Sequence, residues 1–282
     1  MNIHDNVYSM RASLFLSLRN GLLTSLMLVV LAGCGTMASP KTLTVFAAAS
    51  LTESLTQVGK QFEAATPNVK VTFNFAGSQQ LRAQLEQGAR ADVFATANTK
   101  EMTASIHASL VASGTQRAFV TNRLAVILPK GNPGKLTALA DLARPGLYLV
   151  VADPSVPVGQ YALDMLGKLS QDASFGPTFQ DAVLANVVSR ENNVKSVVAK
   201  VRLGEADAGV VYTTDITPDA ARELTTLNVP DKFNVIATYS IAPLKNAAEP
   251  KLASQFIGWV LSPKGQQVFA HYGFIPVASA EP

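Results

Sequence analysis

Short apolar runs alternate with amphipathic segments along the chain from residue 42 onward. The apolar runs have the length and β-branched content of buried strands, and the segments between them repeat apolar residues at helical spacing. Strands are predicted at 43–47, 69–75, 92–95, 147–151, 185–188, 208–212 and 235–241, with a longer β-rich segment at 118–128. Helices are predicted at 51–65, 79–87, 100–109, 136–142, 160–169, 194–203, 219–225, 248–261 and 263–271. This alternation predicts an α/β protein with parallel sheets flanked by helices.

Two similar α/β units follow one another, joined by extended segments near residues 120 and 239. We interpret both segments as crossovers, so that the C-terminal helices return to the first unit. The chain is therefore predicted to form two lobes, each a mainly parallel sheet flanked by helices. Lobe I would comprise 42–122 with 239–282, and lobe II would comprise 123–238. Ligands of such sheets bind beyond the carboxyl ends of the strands, which places a site in the cleft between the lobes.

The N-terminal segment has the features of an export signal. Arg11 and Arg19 precede the apolar run 21–31, which is too short to span a bilayer and ends in small residues. The ending Leu31-Ala32-Gly33-Cys34 resembles a bacterial lipobox. We therefore predict a lipoprotein signal peptide at 1–33, a lipidated Cys34 and a tether at 34–41. A plain transmembrane anchor is the alternative, and Met10 is as suitable a start as Met1.

Composition excludes several classes of function. The formal net charge is +3, and it falls to about +2 once residues 1–33 are removed. Because no cluster of basic residues is visible, nucleic acid is not an expected partner. Cys34 is the only cysteine, so the folded part has no disulfide and no thiolate metal site. The chain shows no nucleophile, metalloprotease or phosphate-loop motif, and His107 and His271 lack neighbours at metal-ligand spacing.

Four strand-to-helix junctions contain small or hydroxyl residues and no Arg or Lys, at 47–50, 75–80, 153–161 and 192–194. Ser50 stands at capping-box spacing from Glu53, and each junction alone is typical of a capped helix. Together they predict an anion site built from neutral donors, because helix N-termini carry unpaired N–H groups and positive dipole ends. Such a site suits a fully deprotonated oxyanion. A hydrogen phosphate would also need an acceptor for its proton.

Tyr212 ends an apolar strand, and two interpretations of its side chain are open: a hydroxyl at the surface, or a hydroxyl in the cleft. Phe256 and Trp259 are expected in the core, and Asp92 and Asp207 at turns or caps.

Several of these segments, in order, resemble the periplasmic molybdate-binding proteins of bacterial ABC importers. The matching segments are 45–52, 75–80, 91–94, 153–162, 193–194, 209–212 and 272–274, so that the resemblance covers essentially all of 43–277. It implies the two-lobed periplasmic-binding-protein fold with a tetrahedral oxyanion in the cleft. It also implies a monomer that is no enzyme, has no cofactor, and delivers its ligand to a permease with an ATPase subunit. The protein would be exported and lipid-anchored, in the periplasm or on the outer face of the cell membrane.

The resemblance also implies which residues bind the ion. Ser50 and Ser78 would offer hydroxyl and N–H groups, Val158 and Val194 backbone N–H groups, and Tyr212 its phenol. One departure is that the segment 77–80 has a single hydroxyl where relatives often have a serine-rich run, which leaves the preference between molybdate and tungstate open.

Other functions stay as alternatives. A sulfate or phosphate binder and a sensory ligand-binding module are both compatible with the chain. A tetrapyrrole-building deaminase would share the two-lobed fold, but it needs a cofactor-bearing cysteine and an arginine-lined cleft.

Overall fold

The computed structural model describes residues 39–277, and the predicted signal peptide and Cys34 lie outside the described residues. The strands are β1 (Lys41–Ala48), β2 (Val69–Ala76), β3 (Val93–Thr96), β4 (Arg117–Asn122), β5 (Leu124–Pro129), β6 (Leu149–Ala152), β7 (Val187–Glu191), β8 (Ala208–Tyr212), β9 (Leu224–Leu227), β10 (Ala237–Pro243) and β11 (Ile275–Pro276). The helices are α1 (Thr52–Ala65), α2 (Ser78–Glu86), α3 (Thr99–His107), α4 (Pro157–Gln171), α5 (Phe179–Ala185), α6 (Val194–Arg202), α7 (Pro250–Leu261) and α8 (Pro263–His271). Short 3-10 turns lie at Ala49–Leu51, Leu139–Ala143, Thr213–Asp215 and Ala220–Arg222.

The strands form two sheets. Sheet I has the order β11-β4-β10-β3-β1-β2, and sheet II has the order β7-β6-β8-β5-β9. β1 runs parallel to β2 and β3, and β6 runs parallel to β7 and β8. The other pairs are antiparallel. The α/β class with two helix-flanked sheets is confirmed, although both sheets are mixed rather than mainly parallel. The reason is that the chain enters β5 from sheet I and enters β10 from sheet II. Each of these two strands therefore runs antiparallel to its neighbours.

The chain crosses between the sheets twice. Arg123 alone separates β4 in sheet I from β5 in sheet II, and the return runs from β9 to β10. Sheet I therefore takes its strands from two distant parts of the chain, and sheet II takes its strands from the part between them.

The helix predicted at 219–225 is wrong, because only the 3-10 turn Ala220–Arg222 forms before β9 pairs with β5. Ala220 and Leu224 have helical spacing, but tertiary pairing overrides this local pattern. α5 and β9 were not anticipated, and Ala185 ends α5 rather than beginning a strand. The predicted helix 136–142 is reduced to a 3-10 turn at Leu139–Ala143.

Each sheet is covered by helices that bury an apolar face. On sheet I, Phe62 of α1 meets Phe256 of α7 edge to face at 5.3 Å between ring centroids. Phe256 is fully buried, as expected, and Trp259 is half-buried against the same core. Within residues 39–277, no helix combines the length and the apolar character that a membrane span requires.

Candidate anion-binding site

One small cavity lies where the carboxyl ends of β1 and β2 meet those of β6, β7 and β8. All five predicted site residues line it: Ser50, Ser78, Val158, Val194 and Tyr212. The cavity has about 10 Å³ of water-accessible space, room for about one water-sized group, far below the range of about 300–1,000 Å³ typical of sites for organic ligands. The space therefore fits a small ion better than a sugar or a peptide. The role of the five residues as ligands stays a prediction.

The cavity is surrounded by the starts of helical segments. α2 begins at Ser78, α4 at Pro157, α6 at Val194 and one 3-10 turn at Ala49. The N–H groups of a first helical turn have no acceptor within the helix, and the dipole is positive there. Among the described residues, the only ionisable side chain that lines the cavity is Tyr212. The site is therefore rich in donors without carrying a formal charge.

The loop before α4 is held rigidly. The Asp153 carboxylate accepts hydrogen bonds from the Ser155 hydroxyl at 2.7 Å and the Ser155 N–H at 2.9 Å, and these bonds lower the pKa of Asp153. A Cβ on Gly159 would lie 2.1 Å from the Asp153 carbonyl oxygen, so only glycine fits there. Pro157 occupies the first helical position, where its missing N–H costs nothing. This geometry fixes the position of the Val158 N–H.

Ser50 does not cap a helix, although its spacing from Glu53 is that of a capping box. Leu51 is the N-cap of α1, and Ser50 lies inside the separate 3-10 turn Ala49–Leu51. The Ser50 Oγ is instead 2.9 Å from the hydroxyl of Tyr239. Because Ser50 is not used as a cap, its hydroxyl is available to the cavity.

Ser78 is buried at the start of α2, and its Oγ accepts a hydrogen bond from the Ala97 N–H at 3.0 Å. The preceding Gly77 approaches the sheet II side closely, since a Cβ there would lie 2.4 Å from the Asn192 carbonyl oxygen. Gln79 donates a hydrogen bond from its side-chain amide to the same oxygen at 3.0 Å. The two sides of the cavity are thus in direct contact.

Tyr212, the last residue of β8, is 1 % exposed, which excludes the interpretation that its hydroxyl lies at the surface. Among residues 39–277 no group forms a hydrogen bond of good geometry with this hydroxyl, although the Tyr239 hydroxyl lies near it. Burial raises the pKa of Tyr212 well above its ordinary value, and the nearby Tyr239 adds to the shift. The phenol therefore keeps its proton. It is a buried donor without an acceptor, in a cavity that already consists of donors.

A charged cluster beside the cavity was missed by sequence reasoning. Lys195 Nζ lies 2.8 Å from the Glu53 carboxylate and 3.3 Å from Asp215, whose side chain is fully buried. Burial by itself would lower the pKa of Lys195, but the two carboxylates outweigh it and raise that pKa. Burial raises the pKa of Asp215. Because these partners are 142 and 20 residues away from Lys195, no local pattern signals the cluster, which joins α1 to α6.

The remaining candidates lie outside the cavity. Asp92 and Asp207 lie at bends before strands, as expected, but their partners are distant in sequence. Asp92 accepts hydrogen bonds from the backbone N–H groups of Thr44 and Glu249, and Asp207 accepts one from that of Tyr148. His107 and His271 end α3 and α8. In the part of the chain that the structure describes, no group of three or more His, Cys, Asp or Glu side chains could hold a metal ion.

Comparison with known proteins gives a consistent result. The sequence profile of the bacterial extracellular solute-binding proteins matches residues 43–275. The molybdate-binding protein ModA of Mycobacterium tuberculosis is 38% identical over 270 residues, which is 92% of this chain and 98% of the relative.

Two solved structures share the fold at lower identity. The periplasmic molybdate-binding protein of Azotobacter vinelandii has a TM-score of 0.73 at 23% identity, over 84% of this chain and all of that one. The sulfate-binding protein SubI of Mycobacterium tuberculosis has a TM-score of 0.75 at 18% identity, over 85% of this chain and 88% of that one. By the profile match and the mycobacterial relative, this chain belongs to the bacterial extracellular solute-binding protein family.

Proposed function

We propose that this protein captures molybdate, and tungstate with it, outside the cytoplasm and delivers the ion to an ABC importer. The observation that carries the proposal is the unpartnered, buried hydroxyl of Tyr212 in an uncharged cavity surrounded by helix starts. The relative at 38% identity, which is named for molybdate binding, supports the choice of ion. The protein acts as a carrier, without catalysis and without a resident cofactor.

The donor set matches a tetrahedral dianion that carries no proton. Hydroxyl groups would come from Ser50, Ser78 and Tyr212, and backbone N–H groups from Val158 and Val194. Among the described residues, no carboxylate lines the cavity, so the proton of a hydrogen phosphate would meet no acceptor there. Exclusion of water from the closed cavity strengthens each charge-assisted hydrogen bond.

The donors come from both sides of a cleft that opens and closes. Ser50 and Ser78 belong to the side of sheet I, and Val158, Val194 and Tyr212 belong to the side of sheet II. We assign residues 42–122 with 239–282 to lobe I and 123–238 to lobe II. The Lys195–Glu53 ion pair and the Gln79–Asn192 hydrogen bond then hold the closed form.

The segment before the fold serves export. The signal peptide at 1–33 is removed, Cys34 carries the lipid, and the protein works as an anchored monomer that meets a permease and its ATPase subunit.

A sulfate binder is the second candidate, because the fold is shared with a sulfate-binding protein and sulfate is also a dianion without a proton. Thermal melting of the purified protein with molybdate, tungstate, sulfate or phosphate distinguishes a molybdate binder from a sulfate binder. A ligand at about a thousand times its Kd adds roughly 4 kcal/mol of stability, or about 10 °C in Tm for a domain of this size. We expect that shift for molybdate and tungstate only. An equal shift with sulfate or phosphate would overturn the choice of ion.

A further inference from the structure

Tyr239 lies behind the cavity, fully buried on β10, and does not line it. Its hydroxyl has two polar neighbours within hydrogen-bond distance. They are the Ser50 Oγ at 2.9 Å and the Asn122 Nδ2 at 3.4 Å. The direction of these two hydrogen bonds decides what the Ser50 hydroxyl can offer to a ligand.

The orientation of the Asn122 amide is fixed from the other side. Its Oδ1 accepts hydrogen bonds from the Arg123 N–H at 2.9 Å and from the Thr213 hydroxyl at 3.0 Å. The Nδ2 must therefore face Tyr239 and Thr214, and it donates to the Thr214 Oγ1 at 2.7 Å. An amide nitrogen donates and does not accept.

The direction of the remaining bond follows. Burial raises the pKa of Tyr239, so its hydroxyl keeps the proton. A buried O–H group must find an acceptor. The Asn122 nitrogen cannot accept, and the nearby Tyr212 hydroxyl forms no hydrogen bond of good geometry, so the Ser50 oxygen is the acceptor. The hydroxyl hydrogen of Ser50 is then not used in the bond to Tyr239, and it is directed to the cavity that Ser50 lines.

We propose that Tyr239 is a positioning residue which, by donating to Ser50, holds the Ser50 hydroxyl as a donor toward the bound oxyanion. The Ser78 hydroxyl is oriented in the same way, because its oxygen accepts a hydrogen bond from the Ala97 N–H at 3.0 Å. A serine hydroxyl can ordinarily both donate and accept. With one lone pair of each oxygen engaged from behind, each hydroxyl hydrogen is directed to the cavity, which favours oxyanions that carry no proton. This inference rests on the proposed function.

A double-mutant cycle tests whether Tyr239 acts through Ser50. We expect Tyr239→Phe to weaken tungstate binding about three- to tenfold in calorimetry, and Ser50→Ala to weaken it more. In the Ser50→Ala background, Tyr239→Phe should cause no further loss. Equal losses in both backgrounds would overturn the proposal, because they would show a merely structural role. Tyr272→Phe is the matched control, since its phenol bonds to Gln57 outside the cavity.

Selectivity gives a second readout. In Tyr239→Phe the Ser50 hydroxyl is free to rotate and to accept a hydrogen bond from a protonated oxyanion. Tungstate should therefore bind more weakly to this variant, whereas hydrogen arsenate should bind about as well as to wild type. The ratio of the affinity for tungstate to the affinity for hydrogen arsenate should therefore decrease. An unchanged ratio would contradict the proposal. A wild-type protein that binds neither tungstate nor molybdate would refute the proposed function rather than the role of Tyr239.

Neutron diffraction from deuterated wild-type crystals tests the same point without a variant. We expect the Tyr239 deuterium on the line to Ser50 and the Ser50 deuterium toward the cavity. A Ser50 deuterium directed at Tyr239 would overturn the inference.

Discussion

Removal of the Tyr212 hydroxyl should separate binding from stability. In Tyr212→Phe the ring keeps its edge-to-face contact with Tyr239, at 5.9 Å between centroids, and only a buried hydroxyl without a partner is lost. A hydrogen bond to a charged group contributes about 1.5–3 kcal/mol, so molybdate should bind about ten- to a hundredfold more weakly. An unsatisfied buried donor costs about 1–3 kcal/mol, so the ligand-free protein should be as stable as wild type or more stable. A gain of about 1 kcal/mol would raise Tm by about 2–4 °C.

Calorimetry with molybdate and thermal melting without ligand measure the two effects. Ser78→Ala is the control. It should also weaken binding, but its ligand-free Tm should fall because the Ala97 N–H loses its acceptor. The reasoning is refuted if Tyr212→Phe binds molybdate as wild type does, or if it lowers the ligand-free Tm as much as Ser78→Ala.

Four further outcomes are expected. Val194→Pro, at the first position of α6, should leave the fold intact but abolish most molybdate binding in calorimetry, because it deletes one N–H group, whereas Val194→Ala should bind as wild type does. Lys195→Met should destabilise the protein in urea by about 3 kcal/mol, because it leaves Asp215 buried without its cation, and adding Asp215→Asn should restore part of that loss. Because the pKa of Asp153 is lower in the folded protein than its unfolded value of about 4, the ionised carboxylate stabilises the fold at neutral pH, and this stabilisation is lost as the pH falls through the folded pKa. The Tm of wild type should therefore decrease as the pH is lowered below about 4, and the Tm of Asp153→Asn should decrease less steeply. Cys34→Ser should release the protein from membranes or stall its processing; a wild-type protein that starts at another residue in mass spectrometry would contradict the lipid anchor.

The convergence of the four strand-to-helix junctions was predictable because it depends on chain order and element type, whereas only the resemblance implied the place of Tyr212 in the cavity. Ser78 and Val194 begin helices that follow strands, Tyr212 ends a strand, and the carboxyl ends of parallel strands meet at one edge. The bounds of β8 were predicted without error, since a run of small and β-branched residues ends there at a polar aromatic.

The partners of those residues were not predictable in this way. The contact between Ser50 and Tyr239 joins positions 189 residues apart, and the Lys195 cluster depends on how α6 meets α1. The capping interpretation of Ser50 failed because local spacing cannot show that a 3-10 turn precedes the helix. β9 was missed because its pairing with β5, rather than its own sequence, makes it a strand.

The close approach of Gly77 to Asn192 has a consequence for affinity itself. A methyl group at position 77 would collide with the Asn192 backbone only while the two sides of the cavity are together, because separation of the sides removes the contact. Such a change leaves the hydroxyl groups of Ser50, Ser78 and Tyr212 in place, but it also displaces the Gln79 amide that bonds the same oxygen, so it should lower the population of the proposed closed form. The measured Kd increases in proportion as that population falls. In the proposed closing cleft, the strength of capture is therefore adjustable at a glycine that supplies no hydroxyl to the ion, through the population of the closed form.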